Sequence, residues 1–124
     1  MFSWIIEHTA KILSVNHGIF RVENTFSEPL TVGQSIAHDG ACMTITKLGN
    51  DEYEFFAMEE TLRVTNFWHK RVGDVFNVER CIRVGDRLDG HFVTGHIDTV
   101  GTISLIDHHD DGSKILGITF EERY

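Results

Sequence analysis

Short apolar runs separated by polar turns make up most of the chain. Ile12-Leu13-Ser14-Val15, Ile19-Phe20-Arg21-Val22, Met43-Thr44-Ile45-Thr46, Tyr53-Glu54-Phe55-Phe56 and Val75-Phe76-Asn77-Val78 alternate or cluster as half-buried strands do. Asn16-His17-Gly18, Asp39-Gly40, Gly49-Asn50-Asp51 and Gly73-Asp74 punctuate them. Three turns share one form: Val32-Gly33-Gln34, Val72-Gly73-Asp74 and Val84-Gly85-Asp86. A glycine after a strand end supplies positive φ at low cost and lets the next strand begin in a tight space. The pattern predicts an all-β fold, a small barrel or sandwich. Met58-Glu59-Glu60-Thr61-Leu62-Arg63-Val64 departs from it and predicts one short helix, plugging a barrel end.

The chain also repeats itself. Laid over residues 96–105, residues 5–14 put Ile6 on Ile97, Glu7 on Asp98, Thr9 on Val100, Ala10 on Gly101 and Ile12 on Ile103. Each copy then runs through a polar turn, Asn16-His17-Gly18 or His108-His109-Asp110-Asp111-Gly112, into a second strand (residues 19–26 and 114–120). Amphipathic hairpins resemble one another, so chance similarity competes with duplication. Duplication implies one unit of about 90 residues and a second that begins near Gly95 with a single hairpin. A lone hairpin is marginal in water, so the chain reads as cut off inside a second copy of its first unit.

Composition narrows the function. The 124 residues hold 11 Lys+Arg against 19 Asp+Glu, a formal charge of −8. That balance argues against binding a nucleic-acid backbone, which takes clustered cations. No apolar run approaches the roughly 18 residues of a membrane span, and Met1-Phe2-Ser3-Trp4-Ile5-Ile6-Glu7-His8 lacks a signal peptide's basic start and apolar stretch. The reading is a cytoplasmic chain. Its two cysteines, Cys42 and Cys81, form neither a disulfide framework nor a zinc signature.

Two stretches concentrate reactive side chains. Asp89-Gly90-His91-Phe92-Val93-Thr94-Gly95-His96 sets two imidazoles five apart, each after a glycine. Positions five apart in a strand face opposite sides, and glycine permits a flat ligand close to the backbone. The competing reading is a glycine-rich crossing with solvated histidines, and the residues alone favour it slightly. Ser35-Ile36-Ala37-His38-Asp39-Gly40-Ala41-Cys42-Met43-Thr44 gathers Ser, His, Asp and Cys within eight residues, but crowding is not triad geometry. His38-Asp39-Gly40 reads more simply as a hairpin turn, and Cys42 as a small buried hydrophobe. Among the aromatics, Phe55, Phe56, Phe67 and Trp68 read as core, whereas Phe2 and Trp4 sit where a barrel rim would stack a planar heterocycle.

These segments together resemble the α-type riboflavin synthases, enzymes of two tandem similar barrels. The resemblance rests on Met1-Phe2-Ser3-Trp4-Ile5-Ile6-Glu7, on Val32 through Thr46, on Met58 through Asn66, on Val72-Gly73-Asp74 with Asn77-Val78-Glu79-Arg80, and on Gly90-His91-Phe92-Val93-Thr94-Gly95-His96. It runs from residue 1 to about residue 105, with the motifs in one order. It implies a six-stranded Greek-key barrel with a short helix over 1–94, and the start of a second, truncated barrel over 95–124.

The implied reaction is a dismutation: two molecules of 6,7-dimethyl-8-ribityllumazine exchange a four-carbon unit to give riboflavin and 5-amino-6-(D-ribitylamino)uracil. The resemblance implies no metal and no redox cofactor. It assigns proton transfer or substrate contact to His91 and His96, and polarisation of a nucleophile on the lumazine to Ser35 and Cys42. Thr44, with the Cys42 and Met43 backbone, would hydrogen-bond the ligand. Phe56, Ala57, Met58, Glu59, Glu60 and Thr61 would line the pocket, and Ile5, Ile6, Gly95 and Ile97 would border the ring. Phe2 belongs to a segment reaching the junction between subunits. The family is homo-oligomeric, trimeric at full length, and a dimer is the expectation for a single barrel. One departure is local: the family start reads Met-Phe-Thr-Gly-Ile, and Ser3 and Trp4 stand in place of Thr and Gly. Trp4 either stacks on the ligand or blocks it. The other departure is length, which leaves open a non-catalytic lumazine- or flavin-binding relative.

Overall fold

The computed structural model describes residues 1–121. Six strands close into a barrel: β1 (His8–Asn16), β2 (Ile19–Glu23), β3 (Ser35–His38), β4 (Ala41–Leu48), β5 (Glu52–Phe56) and β6 (Val75–Arg80). Their order around the barrel is β1-β2-β5-β4-β3-β6. A short helix α1 (Glu59–Val64) and a 3-10 turn (Asn66–His69) link β5 to β6. A separate two-stranded hairpin, β7 (Gly101–His108) and β8 (Lys114–Phe120), follows. Neither β3 nor the strand extensions beyond the apolar runs stood out in the hydrophobic pattern.

The turns behave as their residues dictate. His17 and Gly18 (φ 47° and 80°) join β1 to β2, and Asp39 and Gly40 (φ 45° and 87°) join β3 to β4. Both pairs put two residues at positive φ, the primed geometry that matches the strand twist. Closure rests on β1, which pairs with β6 through His8–Lys11 and with β2 through Ile12–Asn16. A bulge between Ile12 and Ser14 bends the strand from one partner to the other.

The interior is aromatic. Phe20 and Phe55 stack at 5.2 Å, and Phe67 meets Phe76 at 4.9 Å. The expected plug is displaced by one element. No residue of α1 is fully buried, and Leu62 packs only partly on the core; Phe67 of the 3-10 turn supplies the buried ring. Of the six aromatics singled out, Phe2, Phe55 and Phe67 are buried, and Trp4, Phe56 and Trp68 are exposed.

His38 is not a surface turn residue. It ends β3 fully buried, with Nδ1 3.2 Å from Ile36 O and Nε2 2.8 Å from Tyr53 Oη. A carbonyl only accepts, so Nδ1 carries the proton and Nε2 accepts from the phenol. Burial pushes the His38 pKa down to about 3 and pushes the Tyr53 phenol up. The ring is therefore a neutral spacer in the core.

The hairpin repeats the first two strands in detail. β7 carries its bulge between Ile103 and Leu105, at the positions that overlie Ile12 and Ser14. Ile103 pairs with Ile118 as Ile12 pairs with Val22. A shared irregularity at the same register is far less expected of unrelated hairpins than shared amphipathicity. The difference is cover: Ile12 and Val22 are fully buried, whereas Ile103 and Ile118 are 56% and 57% exposed. β7 also starts at Gly101, the counterpart of Ala10, although β1 starts two residues earlier at His8. His8 and Thr9 are strand because β6 pairs with them; the hairpin pairs only with itself.

A base whose folded pKa lies below its unfolded value stabilises the protein above the unfolded value and loses that contribution as pH falls. Between pH 6.5 and about 3, the unfolding free energy should lose about 1.4 kcal/mol per pH unit through His38. Urea unfolding across this window should show the shallower pH dependence in His38→Gln.

Candidate functional site

β4 changes partner along its length. Ala41–Thr44 pairs with β3, and Ile45–Leu48 pairs with β5. The Ala41–Thr44 end thus runs past β5, whose own chain turns away after Phe56 toward α1. On this open edge the Cys42 amide donates to Gly95 O at 2.8 Å. One hydrogen bond therefore joins the two reactive stretches, which lie over fifty residues apart in sequence.

Glycine is required at that contact. Gly95 has φ +76°, and a Cβ there would lie 2.7 Å from Cys42 Cβ and 3.1 Å from Phe2 Cε2. Phe2 is only 1% exposed, lies beneath Gly95, and exchanges two backbone hydrogen bonds with Val93 (2.9 and 3.1 Å). Its contribution is to support the His91–His96 segment from below. His91 donates its amide to Ser3 O, and His96 donates its amide to Thr94 Oγ1. Both imidazoles are exposed, and neither ring has a hydrogen-bond partner among the described residues. Ile97 is half-buried and packs on the core beside Gly40.

The other site positions divide by strand face. Cys42 is half-buried and Thr44 exposed, on the outer face of β4; Met43 between them is buried in the core and paired with Ile36 of β3, so neither its side chain nor its backbone faces the open edge. Ser35 is half-buried on β3 opposite Thr44. Ala57 is buried, its amide bonded to Gly18 O, and the exposed Phe56 ring leans on Gly18. Met58, Glu59 and Glu60 are exposed around the start of α1, where Glu60 pairs with Arg63. Thr61 is half-buried, and its carbonyl accepts from Thr65 Oγ1. Of these residues Phe56, next to Phe55 opposite Ile45, adjoins the edge that Cys42 and Thr44 leave open, whereas α1 packs on the 3-10 turn.

The N-terminal segment separates two open clefts. Ile5 lines one of about 450 Å³ with Ser3, Glu79 and Arg80; Trp4 and Ile6 line another of about 580 Å³ with Gly40 and Lys70. Cys42 and Thr44 line neither. Trp4 is 66% exposed at φ 68°, its indole Nε1 beside Gly40. That backbone suits glycine and is strained for tryptophan. Glu7 anchors the start of β1. Burial raises its pKa, but the Arg80 guanidinium, 2.6 Å away and itself bonded to Glu28, outweighs burial and holds the carboxyl below its ordinary range.

Pattern reading did not single out Glu79. It lies on β6 directly after buried Val78, is itself 3% exposed, and so breaks the strand's in-out alternation. The signal was present only as a charged residue inside a matched motif.

Comparisons with known proteins bear on the family and the fold. The family model of the lumazine binding domain matches residues 3–81. Riboflavin synthase of Escherichia coli (strain K12) is 35% identical over 121 residues, covering 93% of this chain and 57% of the relative. Riboflavin synthase of Chlamydia muridarum is 38% identical over 114 residues, covering 86% and 56%. The solved structure of LumP complexed with 6,7-dimethyl-8-(1'-D-ribityl) lumazine superposes with TM-score 0.70 at 25% identity, covering 90% of this chain and 64% of that one. The chain therefore spans a little over half the length of the curated relatives it matches.

Two substitutions probe the local geometry. Gly95→Ala should cost about 1–3 kcal/mol more than Gly33→Ala, because both have positive φ but only Gly95 meets other atoms; urea midpoints measure the difference. Trp4→Gly should raise the unfolding free energy by about 1 kcal/mol as the positive φ is relieved, read from the same titration. The matched family model, the closed barrel and the repeated hairpin lead to one conclusion: the chain belongs to the lumazine binding domain family.

Proposed function

We propose that the open edge of the barrel holds 6,7-dimethyl-8-ribityllumazine or riboflavin, and that the chain is a riboflavin synthase unit. The observation that carries this reading is the Cys42 N–Gly95 O hydrogen bond, which brings the Ser35/Cys42/Thr44 surface and the His91–His96 segment to one place. The ring would lie along the outer face of β4, with Thr44 and the Cys42 carbonyl as hydrogen-bonding groups; the Cys42 amide is taken by Gly95 O and Met43 pairs with β3. Phe56–Thr61 would flank it and Gly95–Ile97 would border it, whereas Ile5 and Ile6 line the two neighbouring clefts. The curated relatives, named riboflavin synthase, support this reading.

The chemistry suits these groups. A proton leaves the acidic 7-methyl group of one lumazine, and the resulting carbanion, delocalised into the ring, adds to a ring carbon of the second. Four carbons pass from one molecule to the other, and two lumazines contain all the atoms of riboflavin plus the aminopyrimidine. Holding two rings face to face supplies proximity, and His91 and His96 supply proton transfer near neutral pH. Ser35 and Cys42 would polarise the nucleophile, with no metal or redox cofactor called for. In this reading 1–94 form one lumazine-binding unit and 95–124 begin a second, in a cytoplasmic homo-oligomer, dimeric for this chain and trimeric for two-barrel relatives.

A non-catalytic lumazine or flavin binder is favoured by one observation: a strained, exposed Trp4 replaces the family glycine beside the site. Titration with riboflavin, followed by quenching of flavin fluorescence, should saturate at one ligand per barrel. Thr44→Ala should weaken it by about tenfold, the loss of one hydrogen bond, without changing the unfolding midpoint. Absence of saturable quenching would remove the lumazine reading. Riboflavin formation from lumazine by the bound chain then separates enzyme from binder.

A further inference from the structure

We propose that Glu79 is a positioning residue for the site: its buried carboxylate sets the N-terminal segment, and that segment sets the histidine segment over Cys42. The inference rests on the lumazine-site reading above. Oε1 accepts from the Ser3 amide at 2.6 Å and from Ser3 Oγ at 2.7 Å, and Oε2 accepts from the Trp4 amide at 3.1 Å. A carboxylate removed from water costs several kcal/mol unless donors replace the lost solvent. Here three donors do so, all from two adjacent residues. They fix the backbone that leads into the strained Trp4 φ.

The segment so held is the template for the next one. Ser3 O accepts from the His91 amide at 2.9 Å, and Phe2 exchanges both backbone bonds with Val93. Gly90 lies so close to Ser3 O that a Cβ would come within 2.1 Å of it. Two residues on, Gly95 rests on Phe2 and accepts from Cys42. A continuous set of contacts thus runs from Glu79 through Ser3–Trp4 and His91–Val93 to Gly95 and Cys42. Glutamine cannot replace the carboxylate, because its amide nitrogen would face N–H donors. The Ser3 hydroxyl is a second handle: threonine keeps it and alanine removes it.

Amide exchange and lumazine affinity, measured on the whole chain, test the proposal. Glu79→Gln should speed exchange at His91 and Val93 by about tenfold and weaken 6,7-dimethyl-8-ribityllumazine binding by a similar factor. The β2–β5 ladder should keep its protection. Ser3→Ala should shift both readouts the same way by about threefold, and Ser3→Thr should match the parent. Should Glu79→Gln not fold, the Ser3→Ala and Ser3→Thr pair decides. Unchanged exchange at His91 and Val93 would overturn the proposal. So would uniform loosening that includes the β2–β5 ladder, or loosened amides with undiminished affinity. Failure of the parent chain to bind lumazine would overturn the lumazine reading, and the exchange data would still decide whether Glu79 positions this segment.

Discussion

β1 carries hydrogen bonds on both edges, and closure of the barrel depends on how it divides them. Its first half is laddered to β6 and its second half to β2, with the bulge at Leu13 between the two. Ala10 and Ile12, two apart ahead of the bulge, both face the core by strand alternation, and the bulge bends the strand beyond them. Closure leaves the sheet no free edge along β1 and lets the Phe20, Phe55, Phe67 and Phe76 rings fill the interior. The hairpin β7–β8 has the same bulge and pairing but no counterpart of β6 beside it among the described residues, and its apolar face stays exposed.

The candidate site joins the open edge of one barrel strand to chain that lies outside the barrel ladder. β4 passes β5 and leaves an edge, and the 90–97 segment crosses that edge with a single backbone bond at Gly95. The N-terminal residues lie under that crossing, held by a carboxylate of β6. A rigid barrel thus supports two irregular segments whose positions depend on glycines at close contacts. The exposed polar groups gathered here belong to loops and to one strand edge, not to the core, which is where side chains can vary without disturbing a barrel.

Much of this was legible in the chain. Alternation located five of the six barrel strands, glycine-bearing turns located the reversals, and the register of the duplicated segment anticipated the second hairpin. The ordered motifs identified the family and named the residues that converge on the Cys42–Gly95 contact. Three things were not legible. His38 read as a turn residue because Asp39-Gly40 follows it, yet the strand extends one residue further and points its ring at Tyr53. Nothing local singled out Glu79, because only a donor set more than seventy residues away makes its burial tolerable. The barrel plug was assigned to the helix-forming residues of α1, whereas the buried ring came from the 3-10 turn after it.

Local pattern by itself determined five of the six barrel strands, where the chain reverses and that two parts of it align in register, since strand alternation and positive-φ turns depend on near neighbours alone. Only the tertiary structure decided which polar groups are buried, which copy closes and which distant segments meet. Those outcomes depend on partners supplied from elsewhere in the chain. β6 makes His8 and Thr9 part of a strand, Ser3 and Trp4 make a buried carboxylate acceptable, and a glycine at residue 95 lets one backbone touch another.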